Sequence, residues 1–423
     1  MRTYRDLFRL REFSALLAMA SLRYAAATMT GLALATAVFA RTGSPLLSAL
    51  AMFGTSFGQL IGAATLLSAA DRLRPRRALT GLGLSFAVAT FVLALPGIPV
   101  AALLVIELVI GLLSSSAGGI QWGLVVEVVP EGGYVLARST FNVASGVMQV
   151  AGFAVGGGLV ALISARGTLL VGAAVYLVSA AVVRGGLGDR EPRAGERPSI
   201  ARTWAGNTRL LATPARRALY LAAWVPNGLI VGCEALFVAY APHGAAWLFA
   251  AAAAGMLVGD ITLGRLIPAR CRRRLIEPLR LLLAAPYLLF ALTLPAPLAI
   301  AAVGVASFGY SASLLLQERL LELVPDDVRG QALGLHSAGM LTMQAVGATL
   351  AGLVAQWTSP AAAMTIMACA SVLVTLALSP SLSRRGPRRA RARSLAWRGR
   401  VRQRVDARAA SPSTKTSIRS SKL

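Results

Sequence analysis

Four charged side chains sit inside runs of sequence that are otherwise apolar: Arg23, Glu107, Glu234 and Asp260. Asn227 lies in the same run as Glu234. A charge in hydrocarbon is costly and normally faces a cavity or a partner, so each marks a candidate site. A carboxylate held away from water can take a proton on one side of a barrier and release it on the other. Glu107 and Arg23 could form a pair that opens on binding of a proton or a small molecule, or a static buried salt bridge. Glu234 has no evident partner, which makes it a candidate proton carrier or else a glutamate at interface depth. Asp260 stands near the end of its run and reads as a structural partner of the arginines that follow. Glu318, Arg319 and Glu322 read as gate or interface charges.

The elements that must position these groups are helices. The chain has 423 residues, is 56% hydrophobic with a mean hydropathy of +0.66, and only 14% of it is charged. A soluble protein carries about a quarter of its residues as charge. The apolar residues gather into blocks near the ~20 residues needed to cross a bilayer, too long and too uniformly apolar for membrane strands. They fall at about 13–39, 46–69, 78–95, 100–126, 138–163 and 167–184, then 216–241, 244–267, 278–294, 298–321, 332–357 and 360–380. This predicts an all-α polytopic membrane protein with twelve transmembrane helices. The first block is too long for the core of a signal peptide and reads as a retained helix.

Charge fixes the expected orientation. With the N-terminus in the cytoplasm, all 42 basic residues except Arg23, Arg41 and Arg166 fall on the cytoplasmic side. That is the asymmetry expected of an even number of spans. The net charge of +25 is therefore mostly topology. Of the basic residues only Lys415 and Lys422 are lysine, a bias that resembles translation from a high-GC, actinobacterial-like genome.

The two sets of six blocks repeat each other. "EVVPEGG" starts at Glu127 and "ELVPDDV" at Glu322, 195 residues later, each ending a fourth block. At the same offset Ala137 faces Ala332, Met148-Gln149 faces Met343-Gln344, Gly152 faces Gly347 and Gly157 faces Gly352. Gly58-xxx-Gly62 and Gly255-xxx-Gly259 both precede basic clusters, with Arg76-Arg77 corresponding to Arg273-Arg274. Each copy crosses six times, so the copies share orientation as parallel repeats, an arrangement known from the two halves of major facilitator transporters. The expected organisation is a bundle over 1–184, a cytoplasmic linker over 185–215, a second bundle over 216–380 and a basic disordered tail over 381–423. Within the linker, "SIARTWAGNTRLL" reads as a surface helix or as a plain tether. The arginine-rich tail is expected to touch anionic lipid headgroups, and with Trp397 its one aromatic residue it gives no case for nucleic acid.

"SAADRLRPRRAL", residues 68–79, resembles the signature loop of the major facilitator superfamily, Gly-x-Leu-Ala-Asp-Arg-x-Gly-Arg-Arg. Asp71, Arg72, Arg76 and Arg77 match in kind. Leu67 and Arg74 stand at the glycine positions, and one extra residue precedes the double arginine. "VPDDVRGQALG" (324–334) is similar to a phrase at the cytoplasmic end of the family's tenth helix. The resemblance implies two six-helix bundles rocking about a central cavity lined by helices one, four, seven and ten. Arg23, Glu107, Asn227 and Glu234 would then line that cavity. Asp71, Arg72, Arg76, Arg77, Asp260, Arg265, Arg273 and Arg274 would form the cytoplasmic gating loops.

Gly146, Gly152, Gly156 and Gly157 in "GVMQVAGFAVGGG" read as close helix packing or as the family's antiporter motif, from which a proline is missing. The fourth block also lacks the arginine that many drug/proton antiporters carry. The expectation is a bacterial efflux-type secondary transporter of a small organic molecule, proton-coupled. It would be monomeric in the cytoplasmic membrane with both termini inside. Uptake or facilitated diffusion is the alternative, and a scramblase, sensor or assembly factor is the alternative of another class.

Enzyme chemistry finds no support. Both lysines are in the tail, so no phosphate-cradling Gly-x-x-x-x-Gly-Lys loop exists, and H-E-x-x-H is absent. Cys233, Cys271 and Cys369 have no metal-binding or disulfide spacing, and His243 and His336 are expected at interfacial surfaces. No cofactor or metal is implied. The terminal "SKL" is a coincidence in a bacterial sequence.

Overall fold

The computed structural model describes residues 4–65, 74–130, 133–191, 200–292, 294–325 and 328–383. Among these, ten helices are long and apolar enough to cross a membrane, and no strand occurs. They are α1 (Arg11–Thr42), α2 (Pro45–Thr65), α3 (Pro75–Leu93), α4 (Val100–Val128), a continuous stretch Tyr134–Gly186, α7 (Pro214–Tyr240), α8 (Ala245–Arg265), α10 (Ala296–Leu323), α11 (Arg329–Trp357) and α12 (Pro360–Ser383). Residues 1–379 form one unit. Residues 380–423 form another, of which 384–423, including most of the expected tail, lie outside the described residues.

The ten helices resolve into twelve spans for two physical reasons. Ser164, with φ 78 and ψ 164, breaks the 134–186 stretch. Its hydroxyl accepts from Gly167 N–H at 3.4 Å, starting a new helix as an N-cap does. The contacts with α1 show the reversal. Along the first limb, Phe141 meets Phe13, Gly152 meets Thr28 and Gly156 meets Met29. Along the second, Gly172 meets Thr30, Ser179 bonds the Met19 carbonyl and Gly186 meets Ala15. One limb ascends α1 and the other descends it, so they are α5 (134–163) and α6 (165–186). The twelfth span, α9, is Ala269–Ala284 continued by a 3₁₀ segment Ala285–Ala291. Pro278 removes a backbone donor inside the α-helix, and Pro286 removes another where it gives way to the 3₁₀ segment.

The repeat read from the sequence recurs in the packing. A Cβ on Gly58 or Gly62 of α2 would strike the backbone of α4 at Leu108 and Leu112. A Cβ on Gly255 or Gly259 of α8 would strike α10 at Gly304 and Phe308. Both contacts carry over at nearly the offset of the sequence repeat. Small residues permit the same close approach in each half, where packing rather than hydrophobic burial holds helices together. Gly152 likewise meets α1, and its counterpart Gly347 meets α7 at the Gly228 carbonyl.

The expected linker contains a helix, Ile200–Ala212. It is more than a tether, because Gln331 of α11 donates to Asn207 at 3.0 Å. Arg190, just before residues 192–199, holds Glu12 of α1 at 2.5 Å and lies 3.9 Å from Glu127 of α4. These groups are partly exposed, and such pairs contribute about 0.2–1 kcal/mol each. Arg190→Ala should therefore cost about 1 kcal/mol, read as a drop of a few degrees in the thermal midpoint of the purified protein.

Candidate functional site

Of the expected gating-loop residues Arg76 is tied to its own half, as are the neighbouring Arg74 and Arg272. Arg74 pairs with Asp189 at 3.4 Å, and Arg76 donates to the Arg184 carbonyl at the end of α6. Arg272 pairs with Glu318 of α10 at 3.5 Å and also donates to the Ile267 and Gly264 carbonyls. Asp71 and Arg72 lie outside the described residues, as does the side chain of Arg273. Arg77 and Arg274 are exposed, and Arg265 sits at the end of α8.

Asp260 departs from the expectation. It forms no ion pair with the Arg265–Arg274 cluster among the described residues, and its buried Oδ1 has no hydrogen-bond partner there. Its neighbour Gly259 packs against Phe308 of α10, which sets Asp260 within electrostatic reach of Tyr310. The helix contact, not the adjacent basic loop, decides its surroundings.

In the first half the expected Arg23–Glu107 pair is not formed. Arg23 Nη2 donates to Gln121 Oε1 at 3.1 Å, and its guanidinium lies 5.2 Å from the Tyr24 ring centroid. Gln121 and Glu107 share α4, and at 1.5 Å rise per residue they stand roughly 20 Å apart. An arginine that meets one cannot reach the other. Glu107 is 5% exposed and packs beside Gly54 of α2. Tyr176 of α6 lies within electrostatic reach of both Arg23 and Glu107.

In the second half Asn227 is buried, with its amide 3.9 Å from Met340 Sδ. Trp224 and Tyr220, on the same helix, donate to the His336 and Ala332 carbonyls of α11 at 3.0 and 3.1 Å. His336 is itself only 4% exposed, a correction to its expected surface position, whereas His243 is exposed. Glu234 is half-buried where α7 breaks at Leu236, within reach of Tyr287 and Tyr310. No hydrogen bond or ion pair joins Arg23 or Glu107 to Asn227 or Glu234 among the described residues. Each half holds its own buried polar set.

Gly54-Thr55-Ser56-Phe57-Gly58 has the letters of the hydrolase motif G-x-S-x-G. That chemistry needs the serine on a sharp strand-to-helix turn. Here the five residues run through the middle of α2, and Ser56 is buried in helix packing.

Two features escaped the sequence reading. Arg280 of α9, counted there among the cytoplasmic basic residues, is 2% exposed. An aromatic tier also runs across the halves: Phe153 of α5 stacks on Phe249 of α8 at 4.8 Å, and Phe249 meets Phe237 at 5.0 Å. From there Phe237, Tyr287, Phe290 and Tyr240 continue the chain of rings. The tier belongs to a seam near the ends carrying the 43–44 and 241–244 loops. There Gly157 meets Ala246, Gly352 meets Leu46, and Gln356 of α11 donates to Ser44. The glycines of α5 thus serve two partners: Gly152 and Gly156 face α1, while Gly146 and Gly157 face α8 at Leu257 and Ala246.

A separate void of about 790 Å³ lies at the same end of the second half, between Tyr240, Trp247, Phe290, Ile300 and Thr365. None of the expected cavity residues lines it.

Solved structures superpose over nearly the whole chain. A POT family transporter in complex with 5-aminolevulinic acid matches with a TM-score of 0.70 at 12% identity, covering 88% of this chain and 97% of its own. A bacterial homologue of the human lysosomal transporter Spinster, inward-facing and unoccupied, matches with a TM-score of 0.66 at 14% identity, covering 90% and 97%. The peptide transporter POT in complex with sulfate gives 0.67 at 13% identity, covering 88% and 95%. This is the major facilitator fold. No family model matches the sequence, and no curated relative does. The fold is a multi-pass, membrane-embedded one, as the sequence predicted.

Proposed function

We propose that this chain is a secondary transporter that moves a small organic molecule by alternating access, most simply as proton-coupled export. The observation that carries the reading is the seam. Two packing-equivalent halves meet through Phe153, Phe249, Gly157, Ala246, Leu46 and Gly352 near one set of loops, with the α5–α8 contact continuing inward to Gly146 and Leu257. A seam at one end of two rocking halves is what alternating access requires on its closed side. In this reading the halves are 1–184 and 216–380, joined by the 185–215 linker, and the seam faces away from the cytoplasm of a bacterial inner membrane. The chain works as a monomer, and the basic tail touches anionic lipid. Glu107 and Glu234 are the proton-exchanging groups, Arg23 and Asn227 contact cargo, and the arginine loops join when the seam opens.

The solved neighbours support transport by name, and those of the POT family were captured with a thioalcohol-conjugated peptide, with 5-aminolevulinic acid and with sulfate. Uptake or facilitated diffusion is the second reading, favoured by the absence of an arginine from α4.

The test is flux in liposomes containing a pH-sensitive dye, with an imposed proton gradient and a panel of polar and lipophilic compounds. Compound-dependent proton movement is expected, and Glu234→Gln or Glu107→Gln should reduce it about tenfold or more, equivalent to a barrier change of at least ~1.4 kcal/mol. Saturable flux that ignores the proton gradient would replace export by facilitation. No flux with any compound would defeat the transporter reading.

A further inference from the structure

The void of about 790 Å³ beside the seam has the walls of a site for hydrocarbon. It lies between the turn joining α7 to α8, the 3₁₀ end of α9, and the first turns of α10 and α12. Alanines make the space: Ala291, Ala296, Ala299, Ala361 and Ala362 all line it, where longer side chains would fill it. Among the described residues that line it none is charged. The two hydroxyls on its α12 wall are spent on their own helix. Ser359 accepts from the Ala362 N–H at 3.1 Å, and Thr365 donates to the Ala361 carbonyl at 3.0 Å. Water finds few partners in such a wall, and an apolar cavity takes apolar ligands. The volume falls within the roughly 300–1,000 Å³ of pockets that bind small molecules.

The opening faces the bilayer. Leu292 is 64% exposed and Trp247 62% exposed at the level of the turns. Ile366 is 48% exposed nearly two turns into α12, so the lining continues roughly 9 Å down the side of the bundle. A mouth at that depth admits an apolar chain sideways from the hydrocarbon core. At the level of the turns Tyr240 and Trp247 make no hydrogen bond among the described residues. Such amphipathic rings sit where lipid headgroups meet the core. Tyr240 and Phe290, whose centroids are 5.1 Å apart, also end the chain of rings that begins at Phe153 in the first half. Whatever fills the void therefore bears on the seam.

We propose that the void seats one hydrocarbon tail of a bilayer lipid, from the leaflet on the seam's side. The lipid's polar end lies beside the Tyr240 hydroxyl and the Trp247 indole. The tail supplies the dispersion contacts that the alanine walls cannot make with one another. It backs Phe290 and Tyr240 as a packed side chain would.

The test uses full-length protein in nanodiscs of phosphatidylcholine, a small fraction of it carrying a diazirine at the middle of one tail. After illumination, cross-linked peptides are mapped by mass spectrometry. Labelling of residues 290–300 and 361–366 should exceed that on the exposed faces at Val88 of α3 and Val105 of α4 by about tenfold. Excess unlabelled phosphatidylcholine should compete it away. In Ala362→Trp, whose indole occupies the tail's place, labelling there should fall to the level at Val88 and Val105.

If Ala362→Trp is not recovered folded, Thr365→Phe decides, with the same loss expected. Wild-type labelling no greater at the void than at Val88 and Val105 would mean surrounding bilayer lipid only, and would overturn the proposal. Undiminished labelling in a folded variant with the void filled would overturn it as well. None of these readouts depends on transport, so the lipid seat and the transport reading fail separately.

Discussion

Cross-linking cysteines placed at residues 44 and 356 should arrest transport. Ser44 begins the turn into α2 and Gln356 ends α11, and the two already share a hydrogen bond. The bond lies at the edge of a seam that also packs Leu46 against Gly352 and contains the small cluster Ala49, Ala235 and Ala348. Rocking the halves must part these surfaces, because packed interfaces switch between discrete arrangements rather than deform. The Ser44→Cys/Gln356→Cys protein, oxidised or bridged by a short bis-maleimide, should lose transport by roughly tenfold or more, since the conformational step sets the rate. Reduction should restore the oxidised sample, and each single variant should stay near wild type. A cross-linked sample that transports normally would mean the seam does not open, and the alternating-access reading would fail with it.

How much of this was legible in the sequence differs by element. The spans and the repeat were legible because both are written in local patterns: block length for the helices, and recurring Gly, Met-Gln and Val-Pro positions for the halves. The Ser164 hairpin was legible as a gap between blocks, even though the chain turns there with a single non-helical residue. The partners of the buried charges were not legible. Pairing Arg23 with Glu107 matched opposite charges on neighbouring helices, but depth along α4 selects Gln121, a neutral residue that charge counting passes over. Asp260 precedes a basic loop in the sequence, whereas Gly259 turns that stretch of α8 toward α10. Arg280 was hidden by standing just after Pro278 at the edge of a block, where an arginine ordinarily snorkels to the interface. Its burial depends on Gly309, which lies on another helix. His336 shows the same limit, being covered by packing that no local pattern records.

The largest effect on folding is expected at Gly347. A Cβ there would fall on the Gly228 carbonyl oxygen of α7, and the reciprocal Cβ on Gly228 would strike the Met343 carbonyl of α11. Both obstacles are backbone, so no flexible side chain can move aside. The α7–α11 contact is further held by the Tyr220 and Trp224 hydrogen bonds on one side. On the other, Gly232 packs against the Gly347 carbonyl, so the helices cannot part at one point alone. Gly347→Val should cost ~3 kcal/mol or more, the upper range for overpacking, and the detergent-purified protein should aggregate or melt well below wild type. Gly81 of α3 supplies the control, because its Cβ would meet nothing within 4 Å. Gly81→Ala should leave the midpoint unchanged or raise it by the equivalent of about 0.5–1 kcal/mol, as helix propensity alone predicts. Equal tolerance at the two positions would mean that α7 and α11 are not in backbone contact. The packing equivalence between α7–α11 and α1–α5, on which the two-half architecture rests, would then lose one of its clearest supports.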